Sequence, residues 1–207
     1  MKPRIVILGS GGHAKVVIDI LEQTGALEIT GCIGAAYSNA AIFGYPVLGD
    51  DARLPTLYLS GIHHAFIAIG GNARRLELLN VLLGLGFTVV NVISPSAIIS
   101  PRAKIGVGVA VMPGAVINAD AVIGDCAIIN TGATIDHDCT IGAGAHIAPG
   151  SNLAGCVNIG EGAFLGIGCR VIPNIAIGAW TIVGAGGVVV GDLPERITAV
   201  GVPARIK

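Results

Sequence analysis

The chain has 207 residues, enough for one large domain or two small ones, each with its own core. Its formal net charge is −1, so the chain lacks the excess of basic residues with which nucleic-acid-binding proteins neutralise phosphates. Mean hydropathy is high, at +0.79, but no apolar stretch reaches the roughly 18 uninterrupted residues that a membrane-spanning helix needs. The apolar start is too short for a signal peptide, so we expect a cytoplasmic protein without a membrane partner.

Residues 1–94 alternate between segments typical of strands and segments typical of helices. This alternation predicts a small parallel α/β domain of the Rossmann-like kind. The predicted strands cover residues 5–8, 29–33, 65–69 and 87–93, and the predicted helices cover residues 14–23 and 73–83.

A glycine-rich loop, residues 9–13, precedes the first predicted helix. Backbone N–H groups and the positive end of a helix bind phosphate at such a turn. A dinucleotide site would also need an acidic residue at the end of the second strand, where this chain has Gly34 and Ala35. These residues argue against NAD and are compatible with binding the phosphates of a nucleotide-linked sugar. Arg75, in the second helix, either contacts a phosphate or, as we favour, is a solvated side chain.

From residue 97 onward a branched aliphatic residue recurs at every sixth position. Six is a multiple of the strand period of 2 and not of the helix period of 3.6, so the repeat predicts short strands. The aliphatic positions are Ile99, Ile105, Val111, Ile117, Ile123, Ile129, Ile135, Ile141, Ile147, Leu153, Ile159, Leu165, Val171, Ile177, Val183 and Val189.

A mostly small residue stands two positions before each of these aliphatics, and glycine often follows them. Three hexads would close one coil around a narrow interior, with glycine or asparagine at strained corners. Each coil then buries its face against the next, so the domain is stable only as a stack. This arrangement explains the high hydropathy without a membrane.

The five cysteines show neither a CxxC spacing nor a zinc-type pairing with histidine. We expect them to be buried free thiols, and we expect no metal. They are Cys32, Cys126, Cys139, Cys156 and Cys169.

The repeat over residues 95–190 resembles that of the hexapeptide-repeat acyltransferases, which fold as a left-handed parallel β-helix. The chain as a whole is similar to the PglD/NeuD-type sugar acetyltransferases, especially those that N-acetylate nucleotide-linked 4-amino-4,6-dideoxy sugars such as GDP-perosamine. Residues 1–94 would then bind the nucleotide sugar, and residues 95–207 would form the acetyltransferase β-helix with its tail. The resemblance rests on segments 9–13, 68–72, 129–132, 136–139 and 201–204.

The resemblance implies that His137 is the general base of acetyl transfer. An ammonium has no lone pair, so the attacking amine must first lose a proton, and a histidine of near-neutral pKa can take it. The family pattern assigns Asp138 to orient the imidazole and raise its basicity, and places Asn130 near the acceptor. The alternative interpretation of Asn130 is a corner residue in left-handed conformation. We expect backbone N–H groups of the turn at 142–144 to stabilise the oxyanion.

The same resemblance implies that acetyl-CoA is the co-substrate and that three chains form a homotrimer with active sites between subunits. The residues that would contact acetyl-CoA are His146, Ile167 and Ala185. The residues that would contact the nucleotide sugar are Gly11, Gly12, His13 and Asn72.

Three alternatives stay open at the level of sequence. The acceptor could be a hydroxyl, as in sialic-acid O-acetylation. A hexapeptide-repeat metal lyase would need three histidines around zinc, and this repeat region has only His137 and His146. A non-catalytic scaffold would tolerate the loss of His137. The nucleotide base, whether that of GDP, UDP or dTDP, is not determined by these residues.

Overall fold

The computed structural model describes residues 2–34 and 41–207. The chain divides into two compact units, Met1–Pro95 and Ser96–Lys207. Within the described ranges no helix has both the length and the apolar character needed to cross a lipid bilayer.

The first unit contains a four-stranded parallel sheet in the order β2-β1-β5-β6, with a small antiparallel hairpin of β3 and β4. The predicted α/β domain is therefore confirmed. Its strands are β1 Arg4–Leu8, β2 Glu28–Ile33, β3 Ala41–Ile42, β4 Tyr45–Pro46, β5 His64–Ile67, β6 Thr88–Val89 and β7 Val92–Ile93. Its helices are α1 Gly12–Thr24, α2 Leu54–Leu59 and α3 Asn72–Gly84, with a 3₁₀ turn at Asp51–Arg53 before α2.

Two features of this unit differ from the sequence prediction. The fourth predicted strand is interrupted at the exposed residue Asn91, so that β6 and β7 replace one strand. Helix α2 was not predicted, because six residues are too few to show a helical period. The 3₁₀ turn before it is capped by Asp50, whose Oδ1 accepts from the N–H of Ala52 at 3.1 Å.

The second unit is a parallel β-helix of two-residue strands. Residues on neighbouring coils pair 18 positions apart, as Ile128 does with His146 and Val116 with Thr134. The strands are β8 Ile98–Ile99, β9 Lys104–Ile105, β10 Ala110–Val111, β11 Val116–Ile117, β12 Val122–Ile123, β13 Ile128–Ile129, β14 Thr134–Ile135, β15 Thr140–Ile141, β16 His146–Ile147, β17 Asn152–Leu153, β18 Asn158–Ile159, β19 Phe164–Leu165, β20 Arg170–Val171, β21 Ala176–Ile177, β22 Ile182–Val183 and β23 Val188–Val189.

Every third strand lies on the same face, which gives the coil three faces. One face contains β8, β11, β14, β17, β20 and β23, and a second contains β9, β12, β15, β18 and β21. The third face contains β10, β13, β16, β19 and β22, and is extended by β24 Thr198–Val200 and β25 Arg205–Ile206 of the C-terminal tail.

The aliphatic ladder and the small residues two positions earlier point inward, as predicted. From Val109 to Val189 every one of these positions is buried. The left-handed corner falls three residues after each aliphatic from Ile105 to Val183, for example at Gly132 with a φ of 64°. The prediction that only glycine or asparagine would stand there was wrong, because Asp138, Cys156 and Trp180 adopt φ values of 59°, 61° and 59° at equivalent corners.

The glycines directly after the aliphatics are needed for a different reason, the close approach of neighbouring coils. A Cβ on Gly160 would lie 2.4 Å from the backbone nitrogen of Ala179, and one on Gly142 would lie 2.5 Å from that of Glu161. Real Cβ atoms do not approach backbone this closely, so only glycine lets the coils stack here. A Cβ on the corner residue Gly150, by contrast, would meet nothing within 4 Å.

We predict that Gly160→Ala destabilises the β-helix by about 2 kcal/mol or more, because the added methyl group overpacks against backbone that cannot move alone. Gly150→Ala, the matched control, should cost about 1 kcal/mol, the penalty of a left-handed alanine. Urea denaturation followed by circular dichroism measures both. Equal losses of stability in the two variants would contradict the close-approach explanation.

Candidate active site

His137 and Asp138 form a hydrogen-bonded pair at an outer corner of the β-helix, directly after β14. His137 Nδ1 lies 2.7 Å from Asp138 Oδ2, and each side chain is 57% exposed. The left-handed φ of 59° at Asp138 turns the chain at this point. The imidazole packs over Gly155 of the next coil, since a Cβ on Gly155 would lie 2.6 Å from His137 Cε1 and Nε2.

A second carboxylate, that of Asp136, forms hydrogen bonds at the same corner of the β-helix. Asp136 Oδ1 accepts from the backbone N–H of His137 at 2.8 Å and from Asn118 Nδ2, one coil earlier, at 2.9 Å. These two hydrogen bonds lower the pKa of Asp136, which keeps its carboxyl group ionised. The hydrogen bond to Asp138, followed by the charge of Asp136, raises the pKa of His137 above its ordinary value. The corner therefore holds an exposed imidazole of increased basicity.

Asn130 and His146 form a second pair, on the face that contains β13 and β16. Asn130 Nδ2 lies 2.9 Å from His146 Nε2, and Asn130 Oδ1 accepts from the backbone N–H of Thr131 at 2.8 Å. The His146 ring stacks edge-on against Phe164, with ring centroids 5.1 Å apart. Asn130 has no positive φ, and the corner of its coil is Gly132, so its interpretation as a left-handed corner residue was wrong.

Ile167 and Ala185 lie 18 residues apart, at the corner that follows the same face on successive coils. Ile167 comes after β19 and is 62% exposed, while Ala185 comes after β22 and is also exposed. The carbonyl of Ile167 accepts from the N–H of Gly186 at 2.7 Å. Ile167 and Ala185 thus lie at one corner of the prism, whereas His146 lies in β16, on the face that leads to this corner.

Two of the three N–H groups in the turn at 142–144 are not available to stabilise an oxyanion. The N–H of Gly142 donates to Ile159 O and that of Gly144 donates to Asp125 O, each at 2.7 Å. The turn also follows β15, whereas His137 follows β14, so the two belong to different corners of the coil. The expectation was therefore wrong for Gly142 and Gly144, because backbone pairing between coils uses those donors.

The first unit contains a pocket of about 580 Å³ at the carboxyl ends of β1, β2 and β5. In proteins with open α/β sheets, ligands bind in the crevice at the carboxyl ends of the strands. The N-terminus of α1 faces it with Gly11 as N-cap, and no side chain caps the first N–H groups. The lining residues are Gly9, Ser10, Gly11, Gly12, His13, Ile33, Gly34, Asp50, Asp51, Ala68, Ile69 and Gly70.

His13 lines this pocket as a neutral imidazole. Burial, together with the nearby guanidinium of Arg75, lowers the pKa of His13 to about 4. Its Nε2 has no hydrogen-bond partner among the residues that the structure describes. His13 therefore brings a polar group but no positive charge to the pocket, and the uncapped backbone N–H groups at the start of α1 are its candidate anion-binding groups.

Gly34 cannot carry a side chain, since a Cβ there would lie 2.2 Å from Ser10 Oγ. This contact explains why the chain has no acidic residue at that point; Ala35, the other position named above, lies outside the described residues. The acidic residues of the pocket are instead Asp50 and Asp51. Sequence reasoning missed them, because they follow the hairpin rather than a strand of the main sheet.

Arg75 is not the solvated side chain that we favoured from sequence; it is 1% exposed. Its guanidinium donates to the carbonyls of Ile69 at 3.0 Å and Gly70 at 3.2 Å, and to Asn72 Oδ1 at 3.0 Å. Arg75 thereby holds the loop that forms one wall of the pocket. Asn72 opens α3 two residues beyond the lining residue Gly70, and its side chain contacts Arg75.

Two family models match the sequence. The PglD N-terminal domain matches residues 4–82, and the bacterial transferase hexapeptide (six repeats) matches residues 120–155. A comparison with curated protein sequences finds no match.

Solved structures match the whole chain. PerB from Caulobacter crescentus, in complex with CoA and GDP-perosamine, shares 54% sequence identity at a TM-score of 0.95, covering 98% of this chain and 96% of that chain. This chain belongs to the PglD-type hexapeptide-repeat sugar acetyltransferases. The acetyltransferase domain of PglB from Neisseria gonorrhoeae, in complex with acetyl coenzyme A, is 35% identical at a TM-score of 0.94. WeeI from Acinetobacter baumannii is 28% identical at a TM-score of 0.88, and each of these two alignments covers 100% of both chains.

Membership in the PglD-type family confirms the predicted fold class, an α/β unit followed by a left-handed parallel β-helix. The assignment of individual site residues stays a prediction. His137 and Asp138 follow β14, whereas Asn130 follows β13 and His146 lies in β16, so the two hydrogen-bonded pairs belong to different faces of the β-helix.

We predict that the pKa of His137 lies above the ordinary value of about 6.5 and falls when Asp138→Asn removes the carboxylate. The raised pKa means that His137 is protonated to a higher pH than a free histidine and loses its proton as the pH rises through that pKa. An NMR titration of the imidazole protons measures the value. Asp120→Asn, at the equivalent corner one coil earlier, should leave it unchanged; a shift as large as that of Asp138→Asn would contradict the pairing.

Proposed function

We propose that this chain transfers the acetyl group of acetyl-CoA to the 4-amino group of a nucleotide-linked 4-amino-4,6-dideoxy sugar, with GDP-perosamine as the substrate. The similarity to PerB, whose structure holds CoA and GDP-perosamine, supports this substrate. The acetyl coenzyme A bound to the PglB domain supports the acetyl donor. The observation that carries the proposal is the exposed, carboxylate-supported imidazole of His137 on a β-helix of this family.

His137 acts as the general base. Because Asp138 accepts from Nδ1–H, the lone pair of the imidazole is on Nε2, which takes the proton from the amine. The amine nitrogen attacks the thioester carbonyl carbon, the tetrahedral intermediate collapses, and the C–S bond breaks. The coenzyme leaves as a thiolate and receives the proton from His137. The amide product and CoA account for every atom, and no cysteine takes part.

The coenzyme lies along the corner of Ile167 and Ala185 and the adjoining face at His146. When Asn130 Nδ2 donates to His146 Nε2, the ring proton of His146 is on Nδ1. Ile167 and Ala185 are both exposed and can contact a pantetheine chain.

Three chains form the active enzyme, with each site between two of them. In one chain His137 and Asp138 are both 57% exposed, and acyl transfer needs a cleft that excludes water around them. The His146 face of a neighbouring chain supplies the opposite wall. Apolar side chains exposed on the β-helix, such as Ile98 and Ile182, support the burial of flat faces between chains. The enzyme acts in the cytoplasm, where activated sugars and acetyl-CoA are available.

The nucleotide sugar binds in the pocket of the first unit. Gly11, Gly12 and the start of α1 bind its phosphates through backbone N–H groups, and His13 donates or accepts one hydrogen bond as a neutral group. Asn72 and Arg75 hold the wall beside it.

We predict that His137→Asn lowers kcat for GDP-perosamine about 10²- to 10⁴-fold, the usual contribution of a general base. The Michaelis constant for acetyl-CoA should change little, because the side chain does not bind the coenzyme. A steady-state assay that separates acetylated from free sugar measures both quantities. His63→Asn, an exposed histidine of the first unit, serves as the control and should retain full activity.

A non-catalytic scaffold predicts instead that His137→Asn changes no measurable property. The 4-hydroxyl analogue of the sugar tests O-acetylation in the same assay. Faster acetylation of that analogue than of the amino sugar would overturn the choice of acceptor.

We also predict that GDP-perosamine raises the melting temperature of the enzyme more than UDP- or dTDP-linked amino sugars do, at equal concentration. A ligand stabilises the folded state in proportion to its occupancy. Thermal-shift measurements with each sugar, with and without acetyl-CoA, provide the comparison. If no nucleotide sugar shifts the melting temperature, the binding role of the pocket is wrong, whatever the result with His137.

A further inference from the structure

Cys156 stands beside the His137–Asp138 pair, one coil further along. Its backbone N–H donates to the carbonyl of His137 at 3.0 Å. One donor atom from each of the three residues, an imidazole nitrogen, a carboxylate oxygen and a thiol sulfur, lies within 4.8 Å of the other two. Cys156 is half-buried, whereas the other four cysteines are buried, so its thiol is the most accessible of the five. The proposed chemistry leaves this thiol without a role.

These three donors are the ligand types that zinc takes in proteins. Zinc binds histidine nitrogen, cysteine sulfur and carboxylate oxygen at about 2.0–2.3 Å in a tetrahedron, which places the donors about 3.5 Å apart. The present separations, up to 4.8 Å, require a closure of roughly 1 Å. Rotation of His137 and Asp138 can provide it, since both side chains are more than half exposed. The sulfur ligand favours zinc over magnesium or calcium, which prefer oxygen.

We propose that His137, Asp138 and Cys156 bind one zinc ion, with water as the fourth ligand, and that the bound ion inhibits acetyl transfer. An ion on Nε2 occupies the lone pair that would accept the proton of the amine. An ion on Nδ1 replaces the hydrogen bond to Asp138 that orients the ring. Either arrangement removes the general base. The inhibition rests on the proposed function, whereas zinc binding rests only on the three side chains.

Isothermal titration calorimetry of the tag-free full chain with ZnCl₂ tests the binding. Coenzyme A is left out, because its own thiol would compete for the ion. We expect one zinc per chain in the wild type, no binding of Mg²⁺, and an affinity for zinc at least tenfold lower in Cys156→Ser. Cys126→Ser is the matched control: Cys126 occupies an equivalent left-handed corner, with a φ of 54°, but is buried and is not part of the three-residue group. It should bind zinc like the wild type.

Cobalt provides a second measurement that needs no variant. Co²⁺ bound to a thiolate gives a charge-transfer absorption in the near ultraviolet, which the wild type should show and zinc should abolish. No stoichiometric zinc, no such absorption, or equal affinities in the wild type and Cys156→Ser would each overturn the site.

Inhibition is then measured with GDP-perosamine by quantifying the acetylated sugar. Cys156→Ser should keep its basal activity and need at least ten times more zinc for half-inhibition. Zinc binding without inhibition would overturn the inhibitory role alone. An inactive wild type that still binds zinc would overturn the proposed function and leave the metal site standing.

Discussion

The stacking of one coil directly on the next is the constraint on which the β-helix depends. Glycines such as Gly142 and Gly160 bring neighbouring backbones to distances that no other residue allows. Each coil then has a length of 18 residues, and residues 18 apart become neighbours on the outer surface. The Asn118–Asp136 hydrogen bond and the contact of His137 with Gly155 both join residues that are 18 positions apart in the chain. An insertion of one residue within these coils would separate every such pair.

This constraint explains why the fold could be predicted from the sequence in such detail. A period of six leaves only strands, and an unbroken series of inward aliphatics fixes the register of all the coils. The left-handed corners were harder to predict, because Asp138 and Cys156 adopt a conformation that composition assigns to glycine. Helix α2 was missed for the opposite reason: with six residues it is too short to have a period, and its position depends on packing within the α/β unit.

The candidate site was predictable only in part. The acidic neighbours of His137 stand beside it in the sequence, so the local pair could be inferred. The surroundings of Arg75 could not, since its burial depends on the carbonyls of Ile69 and Gly70 at the start of α3. Gly142 and Gly144 were wrongly expected to be oxyanion donors, because a sequence does not show which N–H groups the neighbouring coil already uses. The resemblance to the sugar acetyltransferase family suggested the role of each residue, and the structure then showed which of these residues have hydrogen-bond partners that suit that role.

The two histidines of the proposed chemistry show how location alone sets protonation. His13 lies in a pocket near a buried guanidinium, and its pKa falls to about 4, so it is neutral near pH 7. His137 lies at an exposed corner between two carboxylates, and its pKa rises. Because His13 is neutral, the proposed anionic ligand would be bound by the N-terminus of helix α1, which can bind phosphate without a charged side chain.

A more basic His137 holds an abstracted proton more firmly but is deprotonated in a smaller fraction of molecules near neutral pH. Enclosure between chains would reverse part of that shift, because desolvation disfavours the imidazolium ion. An assembly that excluded water from the thioester would therefore return His137 toward the neutral form that can accept a proton.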